Sequence, residues 1–80
     1  MVVRLQKIDP EKRQNRFYRM SIDRDLFGDW RLLREWGRIG ARGGQRLSEY
    51  FQSETEAEMA LAQLQQKKLR RGYELSALTA

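Results

Sequence analysis

Eighty residues make one small domain with one thin core, because a chain this short buries only about 60% of the surface its unfolded form exposes. The chain has no cysteine and no histidine, which removes disulfides, thiolate chemistry and the commonest general base and metal ligand. Sixteen Lys and Arg against eleven Asp and Glu leave a net charge of +5, a balance that favours polyanions: nucleic acid first, an anionic membrane surface second.

That excess is unevenly placed. Residues 1–52 hold 12 basic and 7 acidic side chains, whereas residues 53–80 hold 4 of each, so the whole surplus lies upstream of Ser53. A merely solvated surface is the competing explanation. No run approaches the ~18 apolar residues of a spanning helix, and Met1-Val2-Val3-Arg4 lacks the apolar core of a signal peptide. The expectation is a soluble, unprocessed, cytoplasmic protein, compatible with association with the nucleoid.

Val2 to Ile8 reads as a short strand with β-branched ends, stopped by Asp9-Pro10 and the polar run through Asn15. Phe17 to Ile22 follows, with Tyr18, Met20 and Ile22 on one buried face at period two. Asp25, Gly28 and Asp29 in "DRDLFGDW" mark a hairpin connection, with Phe27 packed under its own turn rather than exposed as a wedge. Trp30 to Arg38 alternates with both faces mixed. After a glycine-rich turn, Arg46 to Gln52 is another strand, Leu47 and Phe51 on one side and Tyr50 on the other. Trp30, Tyr18, Met20, Leu32 and Phe51 are core candidates. Glu35 is a cross-strand ion-pair partner rather than a general acid.

The period changes at Ser53. Ser53-Glu54-Thr55-Glu56 is a capping box, with the Ser53 hydroxyl accepting from the Glu56 N–H and Glu56 reaching back to the N–H of Ser53. Ala57, Ala60, Leu61, Leu64 and the stem of Lys68 line one helical side, and Gly72 is placed as C′. Glu54, Glu56 and Glu58 near the helix start and Lys67, Lys68, Arg70 and Arg71 near its end complement the helix dipole, which assigns the Lys67–Arg71 cluster to structure. Tyr73-Glu74-Leu75 can return as an edge strand, and Ser76 to Ala80 is expected to fray. This order of elements predicts an α+β fold, an antiparallel β-sheet meander with one C-terminal α-helix packed on one face, in a single domain over residues 1–80. The other sheet face is left to solvent or a partner.

The segment "EWGRIGARGGQR", Glu35 to Arg46, concentrates a tryptophan, four glycines and three arginines. Glycine allows φ > 0 and close approach of backbone N–H groups to an oxygen, so Gly37, Gly40, Gly43 and Gly44 suit an anion-binding turn, with Arg38, Arg42 and Arg46 supplying charge. A plain hairpin with Trp36 in the core and solvated arginines is the alternative. Trp30 and Trp36 share a parity in a regular pleat. A bulge beginning at Gly37 is expected to turn Trp36 outward as a contact residue while Trp30 stays in the core.

Trp36-Gly37-Arg38-Ile39-Gly40 at a strand end, preceded by Tyr18, Leu26-Phe27-Gly28 and Trp30-x-Leu32 and followed by a glycine-rich turn, a strand ending in Phe51 and a helix, resembles the WGR domain. The likeness runs from about Arg16 to Leu75. That family is best known as a module of the poly(ADP-ribose) polymerases and also occurs as short free-standing bacterial proteins. The resemblance implies binding to DNA at ends or strand breaks, the motif's Trp packing against a terminal sugar while basic residues hold the backbone and end phosphate. Carried over, Trp36 stacks, Gly37 admits the backbone, and Arg38 is the basic contact, with Gly40, Arg42 and Arg46 nearby. The polymerases also use the motif's Arg to relay binding to a catalytic domain. This chain contains no such domain, so only binding transfers.

No Asp/Glu cluster has metal-ligand spacing and no Ser or Thr has a base at hand, so the expectation is a non-catalytic module without cofactor or metal. DNA ends or nicks are the expected partner of a monomer. A protein partner on the exposed sheet face and RNA on the same face are the alternatives.

Overall fold

The computed structural model describes residues 1–79; Ala80, the end of the tail expected to fray, lies outside the described residues. Strands β1 (Val2–Asp9), β2 (Gln14–Arg24), β3 (Trp30–Arg38) and β4 (Gln45–Phe51) precede helix α1 (Glu54–Arg70), and β5 (Glu74–Thr79) follows it. The sheet order is β4-β3-β2-β1-β5, and every described pairing is antiparallel. This is the α+β meander with a helix on one face that the alternating pattern predicts. The tail differs from expectation: residues 76–79 continue β5 along β1, with Val2 opposite Thr79. Pairing satisfies the backbone groups that β1 would otherwise present at an open edge.

Period-two alternation sends Val3, Leu5, Tyr18, Met20 and Leu32 to the helix side, where they form the core with Leu61. Trp36 and Phe51 pack against that core from its rim, together with Ile22, Ala60, Leu64 and Tyr73. Ser53 Oγ accepts from the Glu56 N–H at 3.2 Å, as the capping box predicts. The Glu56 carboxylate instead accepts from the N–H of Gln52 at 3.3 Å, one residue earlier than expected. At the other end Arg71 is the C-cap, Gly72 follows with φ +97°, and the Tyr73 N–H donates to Lys68 O at 3.1 Å, turning the chain into β5.

Two further expectations are corrected. Strand β3 keeps continuous register with both neighbours through Trp36, and the irregularity in the sheet lies instead between Arg4 and Leu5 in the β1–β5 pairing. Trp36 therefore stays on the helix face, stacked on Tyr18 with centroids 5.6 Å apart, while Trp30 is half-buried at the far end opposite Phe51. Phe27 does not pack under its turn. It is 91% exposed and Leu26 fully so, because the turn is closed by its own polar groups and needs no apolar plug.

Candidate nucleic-acid interface

Beyond the C-terminal end of α1, on the same side of the sheet, lies an open cleft of about 460 Å³. Its walls come from the β1–β2 turn, the start of β2, the end of β3 and the residue after Gly72. Lys12, Arg13, Arg16 and Arg38 supply four cations, Trp36 and Tyr73 supply rings, and among the described residues no carboxylate lines it. Strand register explains the convergence. Arg16 lies opposite Arg38 and also opposite Lys7, so three cations cross the sheet in one row on the face that carries Tyr18 and Trp36. Among the described residues none of Lys12, Arg13, Arg16 and Arg38 forms an ion pair. Like charges held together without counter-charges leave a field that favours an anion.

The aromatic wall is held from behind. Tyr18 is stacked on Trp36 at an interplanar angle of 13° and meets Tyr73 edge-on at 6.3 Å. Arg34 Nε donates to the Tyr18 hydroxyl at 2.6 Å, its Nη1 donates to Glu49 at 2.9 Å, and its guanidinium lies 5.8 Å from the Trp36 ring centre. Burial acts to lower the Arg34 pKa, but the hydrogen bonds to Tyr18 and Glu49 outweigh it and leave the group above its ordinary value. Lys68 Nζ sits 4.4 Å from the Tyr18 ring centre. Burial, then the nearby charges of Arg71 and Arg34, push its ammonium below the ordinary lysine value.

Arg13 stands in the left-handed region at φ 53°, a conformation rare outside glycine, asparagine and aspartate. The Gln14 side-chain oxygen is buried at the cleft wall without a hydrogen-bond partner among the described residues. Gly37 lines the cleft, and a Cβ there would come within 3.3 Å of Gly44 Cα and 3.4 Å of Phe17 Cε1. A side chain there would press on the turn backbone and on the Phe17 ring, which would have to give by a few tenths of an ångström.

Of the residues singled out in the sequence, Trp36, Gly37 and Arg38 meet at the cleft. Gly40 and Arg42 lie on the exposed turn between β3 and β4; Gly40 has φ +81° and open space where a Cβ would be, so the turn needs its conformation rather than its smallness. Arg46 pairs opposite Glu35 on the other sheet face, where Glu35 accepts from Arg19 at 3.0 Å as a cross-strand ion pair. Sequence reasoning missed Lys12, Arg13, Arg16, Gln14 and Tyr73. Arg16 was within reach, since it shares the parity of Tyr18, but its alignment with Arg38 depends on hairpin register.

The WGR domain family matches residues 1–79. The chain belongs to that family. WGR domains are a small, non-catalytic, nucleic-acid-binding type of domain. A relative from Sinorhizobium fredii (strain NBRC 101917 / NGR234), described as the uncharacterized protein y4dW, is 42% identical over 69 residues, which cover 86% of this chain and 33% of that protein. The chain thus spans about a third of the relative's length. No solved structure matches. Among the described residues of this WGR domain no helix is long and apolar enough to cross a membrane.

Proposed function

We propose that this WGR domain binds DNA at ends or strand breaks through the cleft beside Trp36. The observation that carries the reading is the convergence of four cations and two aromatic rings in a cleft that, among the described residues, no carboxylate lines. Guanidinium groups of Arg13, Arg16 and Arg38 offer planar forks to phosphate oxygens, and Lys12 adds a point charge. The exposed part of Trp36 and the Tyr73 ring provide surfaces for a sugar or base, contacts worth ~1–3 kcal/mol per stacked base. The unpartnered Gln14 oxygen suits a sugar hydroxyl. An intact duplex keeps its bases and the inner faces of its sugars covered, whereas an end exposes them, so rings recessed in a cleft favour ends.

Fluorescence anisotropy with nicked, blunt, 5′-phosphorylated and closed-circular DNA tests this. Ends and nicks should bind several-fold more tightly than circles of equal length. Four phosphate contacts make log K fall by about 3–4 per unit of log[salt]. Equal affinity for circles and ends would defeat the end-specific part, and a flat salt profile would defeat the phosphate mechanism.

A further inference from the structure

The row of cations across the sheet continues past the cleft. Lys7 stands in register with Arg16, as Arg16 does with Arg38, and its stem lies against the helix exit, where a Cβ on Gly72 would meet Lys7 Cε at 3.3 Å. Tyr73, a wall of the cleft, has its ring centre 5.7 Å from Lys68 Nζ. Burial first, then the charges of Arg71 and Arg34, hold the Lys68 ammonium below its ordinary value, so Arg71 is close enough to repel it. Lys7, Lys68 and Arg71 therefore carry the positive surface from the cleft around the C-terminal end of α1. Among the described residues none of the three forms an ion pair. Glu74, the next acid along the chain, falls opposite Gln6 on the other sheet face.

Helix electrostatics account for only part of this crowding. Cations near a helix C-terminus offset carbonyls left without partners, but backbone donors already occupy that end. The Arg71 N–H donates to Lys67 O at 3.2 Å and to Lys68 O at 3.0 Å, the Gly72 N–H to Leu69 O at 3.1 Å and the Tyr73 N–H to Lys68 O at 3.1 Å. Lys7 is on β1 and owes nothing to the helix. Like charges held together at a cost to one another gain when an external polyanion neutralises them.

We infer that the duplex flanking a bound DNA end leaves the cleft over Lys7 and the C-terminal end of α1, with Lys7 and Arg71 on its phosphates and Lys68 adding to the field behind them. The inference rests on the cleft reading and adds to it a direction for the DNA and a footprint beyond the end. Strands about 4.8 Å apart place Lys7 roughly 10 Å from Arg38 across the row. One DNA strand presents a phosphate about every 3.4 Å of axis, so the row alone spans about three successive phosphates. A line of cations fits a regularly charged backbone better than the scattered carboxylates of an acidic peptide. The cluster at the helix end, which the sequence assigns to the dipole, thereby gains a second role.

Fluorescence anisotropy with DNA hairpins that have one free end and an arm of about 5 or about 15 base pairs tests this, since only the longer arm runs past α1. Wild type should bind the long arm about 10-fold more tightly at low salt, with a slope of log K against log[salt] steeper by about two units. The double variant Lys7→Gln/Arg71→Gln keeps both stems. It should bind the short arm like wild type and lose the long arm's gain in both affinity and slope. Neither residue is buried, so the variant folds, as circular dichroism would verify. Equal wild-type affinity for the two arms, or a double variant that keeps the long-arm gain, overturns the proposal. So does a double variant weakened towards polyglutamate but not towards the long arm, which would assign the surface to an acidic protein. Arg38→Ala on the short arm tests the cleft alone, so failure of the cleft reading and failure of the flank are read separately.

Discussion

The indole of Trp36 is stacked on Tyr18 and also lines the cleft, so its removal subtracts from stability and from binding together. Trp36→Ala should cost about 2–3 kcal/mol of stability, below the ~3–5 of a fully buried ring because it is only partly buried, and should lose ~1–3 kcal/mol of DNA affinity. Trp30→Ala should leave DNA affinity unchanged, since Trp30 lies at the other end of β3 under Arg24. Thermal melts and anisotropy on both variants separate these outcomes. Arg13 offers a complementary case, because its side chain lines the cleft while its backbone is held at φ 53°. Arg13→Asn puts a residue that tolerates that conformation there. The expected result is an unchanged or slightly raised melting temperature with a salt slope shallower by about one unit. Neither the dual position of Trp36 nor the presence of Arg13 in the cleft was legible in the sequence. The parity of Trp30 and Trp36 was plain, but the regular pleat that keeps both on one face depends on cross-strand pairing that no local pattern reports.

At the scale of elements, local patterns carried most of the fold. The alternation in β2 and β3, the Ser53 cap and Gly72 past the helix end each follow from short-range sterics and hydrogen bonding, so each was visible residue by residue. Ser53→Ala should cost about 1 kcal/mol by leaving the Glu56 N–H without its acceptor, measured by chemical denaturation. The extent of β5 was not visible, because its stability comes from β1, far away in the sequence, with Val2 opposite Thr79. Lys68 shows how helix and sheet interact electrostatically. Its pKa is lowered by burial first and by Arg71 and Arg34 next, so the folded state binds fewer protons than the unfolded one between the lowered value and the ordinary one. Stability therefore rises as pH climbs through that window and is lost again as pH falls back through the folded-state value. Lys68→Met should remove this alkaline gain, which comparison of wild-type and variant denaturation midpoints across that pH range would detect.

Across the whole molecule, the surplus of positive charge upstream of Ser53 is divided by the sheet. Lys12, Arg13, Arg16 and Arg38 gather at the cleft, whereas Arg19 and Arg31 on the open face are held by Glu35 and Asp23 and Arg46 lies opposite Glu35. Composition favoured a polyanion partner, but only the strand register brings Arg16 opposite Arg38 on the cleft side, while Arg46 falls on the open face. A single experiment tests that assignment: DNA-end affinity of Arg16→Ala, Arg38→Ala and Arg46→Ala by anisotropy at two salt concentrations. The cleft reading predicts that Arg16→Ala and Arg38→Ala each weaken binding and each flatten the salt slope by about one unit, with Arg46→Ala close to wild type. Loss of affinity in Arg46→Ala with Arg16→Ala and Arg38→Ala unaffected would place the DNA on the opposite face and contradict the account.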